Sequence, residues 1–289
     1  MSYKVVTDSS ANLPSEKIIK YGITVVPFTY IIDGEEHTVD PFATEDAQKE
    51  FFDKMREKAE ITTSLINSTR FAEYFEPILE AGEDVLYVGM SAGISGTFTN
   101  AMIAADELKE KYPDRKIELV DSKNASMGEG LLALIGARMM NKGVELEEAA
   151  ERLRKTVPHL RGVFMVDDIM YLRRTGRVSG FTAVAGKTIG IRPLLKGNDE
   201  GKIVLCGTAR GRKGAIEKLL SEFEEHVTQG LRQSVAVCHC DAPEDAQYVA
   251  ERMAENPAVK DVSIGYYESV TGSHIGPGAL AIFYLADHR

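Results

Sequence analysis

Strand-like runs alternate with helix-like stretches through the first half of the chain, and this alternation limits the possible folds more than any other feature. Tyr3–Thr7, Ile23–Ile32, Asp84–Gly89 and Ile117–Val120 read as strands. Between them, Thr44–Lys58, Ser68–Ala81, Gly96–Lys111 and Gly128–Asn141 place apolar residues at helical spacing. Pro14 stands where a helix can begin, since its missing N–H costs nothing there. Thr44 precedes an acidic first turn as a cap should. Asp33-Gly34 favours a two-residue hairpin turn, and Thr62–Asn67 reads as a loop. Strands separated by helices need crossover connections and therefore a mainly parallel sheet. Ligands of such sheets sit outside the carboxyl ends of the strands. Three of those ends carry hydroxyls, at Thr7-Asp8-Ser9-Ser10, Ser91 to Thr97 and Asp121-Ser122, so one polar crevice is expected.

The second half has a different texture. Glu145–Thr156 is a charged amphipathic helix, and Pro158 marks a boundary between residues 1–158 and 159–289. Beyond it, Gly162–Val166, Ile203–Thr208, Ser234–Cys240, Val262–Tyr267 and Ala279–Leu285 are strand candidates. Helices are expected near Asp168–Arg173, Lys213–His226 and Glu244–Glu255. The chain thus reads as two α/β domains, the first with a mainly parallel sheet and the second with a mixed one. It contains neither an internal repeat nor a low-complexity tract.

Composition excludes several classes. The 289 residues carry a net charge of −10, which argues against a general nucleic-acid binder, because phosphate backbones need a cationic surface. No apolar run approaches the ~20 residues of a membrane helix, and the start of the chain has no signal-peptide pattern. Three cysteines make no disulfide framework. A soluble cytoplasmic protein is expected.

Three motifs suggest chemistry that their context withholds. Gly186-Lys187-Thr188 resembles the end of a phosphate-binding loop, but five residues separate Gly180 from Gly186 where that loop needs four, and no strand precedes them. Cys238-His239-Cys240 lies within one strand, where alternate side chains face opposite ways, and no further zinc ligands stand at loop spacing. Gly89-Met90-Ser91-Ala92-Gly93 fits a nucleophile elbow between strand and helix, with Asp167 or Asp168 and then His274 in hydrolase order. Against a serine hydrolase, the helix starts only after a second turn, and no Gly-rich oxyanion loop precedes it. That hydrolase, using Ser91, is the alternative reading.

Charge and backbone signals carry more. Residues 173–213 hold ten basic residues against Asp199 and Glu200, a local charge of +8 in a chain whose remainder is −18. The contrast suggests an anionic ligand or an acidic partner surface. Gly272-Ser273-His274-Ile275-Gly276-Pro277-Gly278 predicts an irregular backbone fixing one histidine ahead of the last strand, placed to hydrogen-bond a ligand.

With these pieces in order, the sequence resembles the DegV family of bacterial fatty-acid-binding proteins, the acyl carriers of fatty acid kinase. The resemblance spans essentially the whole chain. It rests on Thr7-Asp8-Ser9-Ser10, Thr63-Ser64, Ser91-Ala92-Gly93-Ile94-Ser95-Gly96-Thr97, Tyr171-Leu172, Gly176-Arg177-Val178-Ser179, Ile191-Arg192-Pro193-Leu194-Leu195 and Gly272 to Gly278. It implies a long-chain fatty acid in a tunnel between two α/β domains, with no other cofactor, no metal and no catalytic residue of the chain's own. Thr63, Ser64, Ser95 and His274 match the carboxylate site, supported by Arg177, Ser91, Thr97, Gly96 and Gly276. Arg210, Arg212 and Lys213 fall where the family's kinase-docking residues lie. A partner kinase would supply ATP and convert the carboxylate to an acyl phosphate, with at most transient membrane contact during lipid exchange. The chain departs from the family pattern at Leu65-Ile66 (often Gln-Pro), at Ala92 (Ser) and at Thr175 (Gly), which bears on loop flexibility and acyl-chain preference.

Overall fold

The computed structural model describes residues 2–178 and 190–289. Ser179, Lys187 and the Gly180–Thr188 segment that mimics a phosphate loop lie outside the described residues.

Four strands form an all-parallel sheet in the order β2-β1-β6-β7: β1 (Tyr3–Asp8), β2 (Thr24–Val26), β6 (Asp84–Gly89) and β7 (Ile117–Asp121). Every residue of β6 is buried, as expected of a central parallel strand covered on both faces. Beside it, β3 (Thr29–Ile32), β4 (Glu35–Thr38) and β5 (Ile61–Ser64) make a small antiparallel sheet. Asp33 and Gly34 both take positive φ and close the β3–β4 hairpin as their types predict.

Two expectations fail here. Ile23–Ile32 is not one strand: it breaks at Pro27 into β2 and β3, which serve different sheets, because proline cannot donate to a ladder. Thr62–Asn67 is not a loop at its start, since Thr62 to Ser64 pair with β3.

The second sheet has six strands in the order β10-β9-β8-β13-β11-β12: β8 (Leu160–Met165), β9 (Ile191–Gly197), β10 (Ile203–Arg210), β11 (Gln233–His239), β12 (Val259–Tyr266) and β13 (Leu280–Leu285). Only β11 and β12 run parallel, so the sheet is mixed. β9 has no counterpart in the strand reading, because Pro193 and two flanking cations disguise its apolar centre at Pro193–Leu195.

The helices are α1 (Ser15–Tyr21), α2 (Glu45–Arg56), α3 (Ser68–Glu80), α4 (Thr97–Lys111), α5 (Met127–Asn141), α6 (Leu146–Thr156), α7 (Met170–Arg174), α8 (Gly211–His226), α9 (Pro243–Ala254) and α10 (Ser269–Ile275). They complete five layers. α3 and α4 cover one face of the parallel sheet, and α8 and α9 cover the outer face of the mixed sheet. Between the sheets lies α5, packed on β1 and β6 on one side and on β8, β11 and β13 on the other. It buries ten of its fifteen residues, which is why its sequence is apolar all round rather than amphipathic. One core cluster accordingly joins Leu86 and Val88 of the first sheet to Phe164, Ala236 and Phe283 of the second.

The expectation of one polar crevice is also corrected. Thr7, Asp8 and Ser10 turn inward onto Glu129 of α5 and are fully buried. The hydroxyls after β1 therefore serve the core rather than a shared crevice.

Candidate functional site

A cavity of about 1000 Å³ opens between the loops after β6 and β7, strand β5, helix α10 and the inner face of the mixed sheet. That is the upper end of ordinary small-molecule sites, roughly 300–1000 Å³. Its walls are largely apolar, with Phe28, Met90, Phe164, Tyr267, Ile275 and Phe283 among them. Gly162 and Gly197 of the sheet face also line it.

The polar groups converge at one part of the wall. β5 alternates half-buried and exposed residues, so Thr63 is half-buried and Ser64 exposed. His274 does not sit in an irregular turn as predicted but in the last turn of α10. Glu268, two backbone N–H bonds to its carboxylate (Val270 at 2.5 Å and Thr271 at 2.7 Å), caps that helix, and the local bonds outweigh the glycine content. Burial pushes the Glu268 carboxyl up to about 7.

His274 Nε2 lies 3.1 Å from Thr63 Oγ1, and its Nδ1 is buried without a partner among the described residues. Burial, then the neighbouring Arg177 charge, lowers the imidazole to about 4, so it is neutral at pH 7. With its proton on Nε2, the ring donates to Thr63 and leaves the threonine hydroxyl hydrogen for a ligand. With the proton on Nδ1, Thr63 donates and Nδ1–H is the free donor.

Ser95 lies just before α4, 2.9 Å from Thr97 Oγ1, and accepts from the Thr97 N–H at 3.2 Å. Thr63, Ser64, Ser95, Gly96, Arg177 and His274 all line the cavity. Arg177 donates to the Thr175 carbonyl, which anchors its guanidinium at the rim.

The remaining predicted residues stand behind this wall. Thr97 is buried and acts through Ser95. Gly276 takes φ +85°, and a Cβ there would lie 2.3 Å from the Tyr171 ring, so it permits a close backbone approach. Ser91 is fully buried, donates to the Gly201 carbonyl at 2.9 Å and accepts from Gly93 N–H. His274 is engaged by Thr63, Asp167 by Arg192 and Arg212, and Asp168 by the Met170 N–H, so among the described residues these groups assemble no serine–histidine–aspartate relay.

Arg210 and Lys213 are exposed. Arg212 differs: it pairs with Asp245 at 2.5 Å and Asp167 at 3.0 Å and donates to the Gly278 carbonyl, which ties α8 to the loop before β13. Cys238 and Cys240 are core thiols pushed up by burial. Among the described residues, no group of histidine, cysteine and acidic side chains is arranged to hold a metal, and no helix is long and apolar enough to cross a membrane.

Sequence reasoning missed the cavity floor, Phe164 and Phe283, because a strand's apolar residues look alike whether they meet core or ligand. It also missed Glu129, for which one signal existed: a lone acid inside the most apolar helix.

Residues 2–287 match the family described as "Uncharacterised protein, DegV family". A DegV domain-containing protein of Clostridium perfringens is 36% identical over 99% of this chain and 98% of its own. A DegV family protein from Thermus thermophilus, described by its fatty acid binding, superposes with a TM-score of 0.87 at 28% identity, covering 99% of this chain and 100% of that one. DegV of Bacillus subtilis, described as a fatty acid binding protein, gives 0.86 at 28% identity with the same coverage.

Proposed function

Since this chain belongs to the DegV family, we propose that its cavity holds a long-chain fatty acid with the carboxylate at Thr63, Ser95 and His274. The observation that carries this reading is the His274–Thr63 pair, neutral donors beside the Arg177 guanidinium in a cavity whose walls are largely apolar. A carboxylate accepts from hydroxyl, imidazole and guanidinium donors, and the charged acceptor strengthens each bond. Arg177 supplies the compensating charge. The tail needs the apolar walls: at about 0.8 kcal/mol per methylene, a 16-carbon chain gains on the order of 10 kcal/mol before the costs of association are subtracted.

On this reading the protein is a cytoplasmic carrier rather than an enzyme. A separate ATP-dependent kinase completes the reaction: a carboxylate oxygen attacks the γ-phosphorus of ATP, ADP leaves, and an acyl phosphate results. Arg210 and Lys213, both exposed at the start of α8, are the residues we assign to meeting that kinase. Arg212 belongs instead to the scaffold, through its ion pairs.

Mass spectrometry of the purified protein, native and then solvent-extracted, tests the binding step. A stoichiometric fatty acid is expected, and a protein that is empty and refuses added fatty acid refutes the reading. For the kinase step, Arg210→Ala and Lys213→Ala should retain fatty acid but lose acyl phosphate formation with kinase and ATP. Unchanged turnover in the double variant removes that docking assignment.

A further inference from the structure

The floor of the cavity contains a feature that bears on which fatty acid fits. Phe283 lines the cavity from β13, and its ring is held in a slot between two glycines. A Cβ on Gly128 of α5 would lie 2.9 Å from Phe283 Cδ1, and one on Gly162 of β8 would lie 2.8 Å from Phe283 Cε1. Real Cβ atoms do not approach so closely, so the ring occupies this position only because both neighbours lack side chains. The Asn124 carboxamide fills the rest of the slot, 2.8 Å from the same Gly162 position, and is fixed by the Leu160 carbonyl. Sheet register reinforces the arrangement: Phe283 pairs directly with Gly162, while Phe164 pairs with Ala281. On this face each phenyl ring therefore leans over a residue with little or no side chain.

Phe283 also stands at depth. The chain leaves α10, which carries His274, and enters β13 at Leu280. Phe283 is three residues further along, roughly 10 Å at the rise of an antiparallel strand. The ring is buried at the cavity floor, at 4% exposure, three positions into the strand that follows the His274 helix.

We propose that Phe283, seated in the Gly128–Gly162 slot, is the stop for the far end of the acyl chain and sets the chain length this protein takes. The proposal rests on the fatty-acid reading above. A smaller residue at 283 opens the slot to the ligand. A side chain at Gly162 expels the ring into the cavity and shortens it.

The test is competition binding of lauric, palmitic, stearic and arachidic acids to wild type, Phe283→Ala, Phe283→Leu and Gly162→Ala. Both substitutions of Phe283 should move the optimum to a longer acid, each newly sheltered methylene tightening binding about fourfold. Gly162→Ala should move the optimum to a shorter acid. Should the two more drastic variants fail to fold, Phe283→Leu decides the matter. An unchanged order of preference in the folded Phe283 variants overturns the proposal and leaves the fatty-acid reading standing. A wild type that binds none of the four acids overturns that reading itself.

Discussion

The buried carboxyl pair at the end of β1 has one proton to place, and the geometry says where. Ser10 Oγ stands 2.5 Å from Asp8 Oδ1 and 2.7 Å from Glu129 Oε2, but a hydroxyl has one hydrogen to give. Asp8 also accepts from the Tyr87 hydroxyl at 2.7 Å, the Ser10 N–H at 3.0 Å and the Met90 N–H at 3.4 Å. Glu129 is less well supplied, with the Thr7 hydroxyl at 2.8 Å and a backbone bond from Asp8. Donors favour the charged form, so Asp8 is the carboxylate and Glu129 the acid, which donates to Ser10, which donates to Asp8. Burial, and then the charge of Asp8, hold the Glu129 carboxyl well above its ordinary range.

Glu129→Gln should therefore stay within about 1 kcal/mol of wild type at mildly acidic pH, because the amide donates to Ser10 and accepts from Thr7 in the same geometry. Asp8→Asn replaces an acceptor by a donor facing donors, at a cost of about 2–4 kcal/mol. The pH dependence has a definite sign. Folded Glu129 titrates above its unfolded value, so the stability it contributes is complete below pH 4.5 and is lost as pH rises toward the folded value. Relative to Glu129→Gln, wild type should lose about 1.4 kcal/mol per pH unit above that point, for as long as the folded acid keeps its proton. Urea unfolding of the three proteins across that range measures both effects. A Glu129→Gln variant as damaged as Asp8→Asn, or a gap that does not widen with pH, refutes the proton assignment.

Other consequences can be checked singly. Ser95→Ala and His274→Ala should each weaken fatty-acid binding by roughly 5- to 100-fold with an unchanged circular dichroism spectrum, the loss of about 1–3 kcal/mol for one buried polar contact. His274 is depressed from 6.5 to about 4, so its stabilising contribution is complete above pH 6.5 and fades as pH falls toward 4; His274→Gln should flatten that acid limb in urea unfolding. Gly276→Ala should lower the melting temperature markedly, since both its φ of +85° and the Tyr171 ring oppose a side chain. Arg212→Ala should destabilise the fold where Arg210→Ala does not, because only the former breaks the pair with Asp245 and leaves Asp167 with Arg192 alone; a thermal shift comparison separates them.

Much of this architecture is legible from the chain. Crossover helices between apolar runs dictate the parallel sheet, and Asp33-Gly34 dictates its hairpin. Thr63, Ser95 and His274, which we assign to the carboxylate, come from the order of weak motifs, and all three line one cavity. What is hidden depends on partners distant in sequence. Thr7-Asp8-Ser9-Ser10 looks like a ligand loop until Glu129, over a hundred residues away, is seen to take its hydroxyls. Gly272–Gly278 looks irregular until the Glu268 cap is placed over its N–H groups. Arg212 looks like a free cation until Asp167 and Asp245 fold against it. Local composition cannot distinguish a solvated charge from a paired one.

The position of α5 limits how a buried ligand can come and go. A clamshell protein opens by swinging two lobes about a hinge, but here one helix is glued by its opposite faces to both sheets. Swinging the lobes apart would strip one side of Leu131–Ala137 into water and unseat Glu129 from β1. Traffic through the cavity must then be handled by its other walls, among them half-exposed Leu65 and Leu172 of the short helix α7, while the central helix stays still. Exchange rates in this protein are accordingly a property of its rim, and overall stability is a property of its beam.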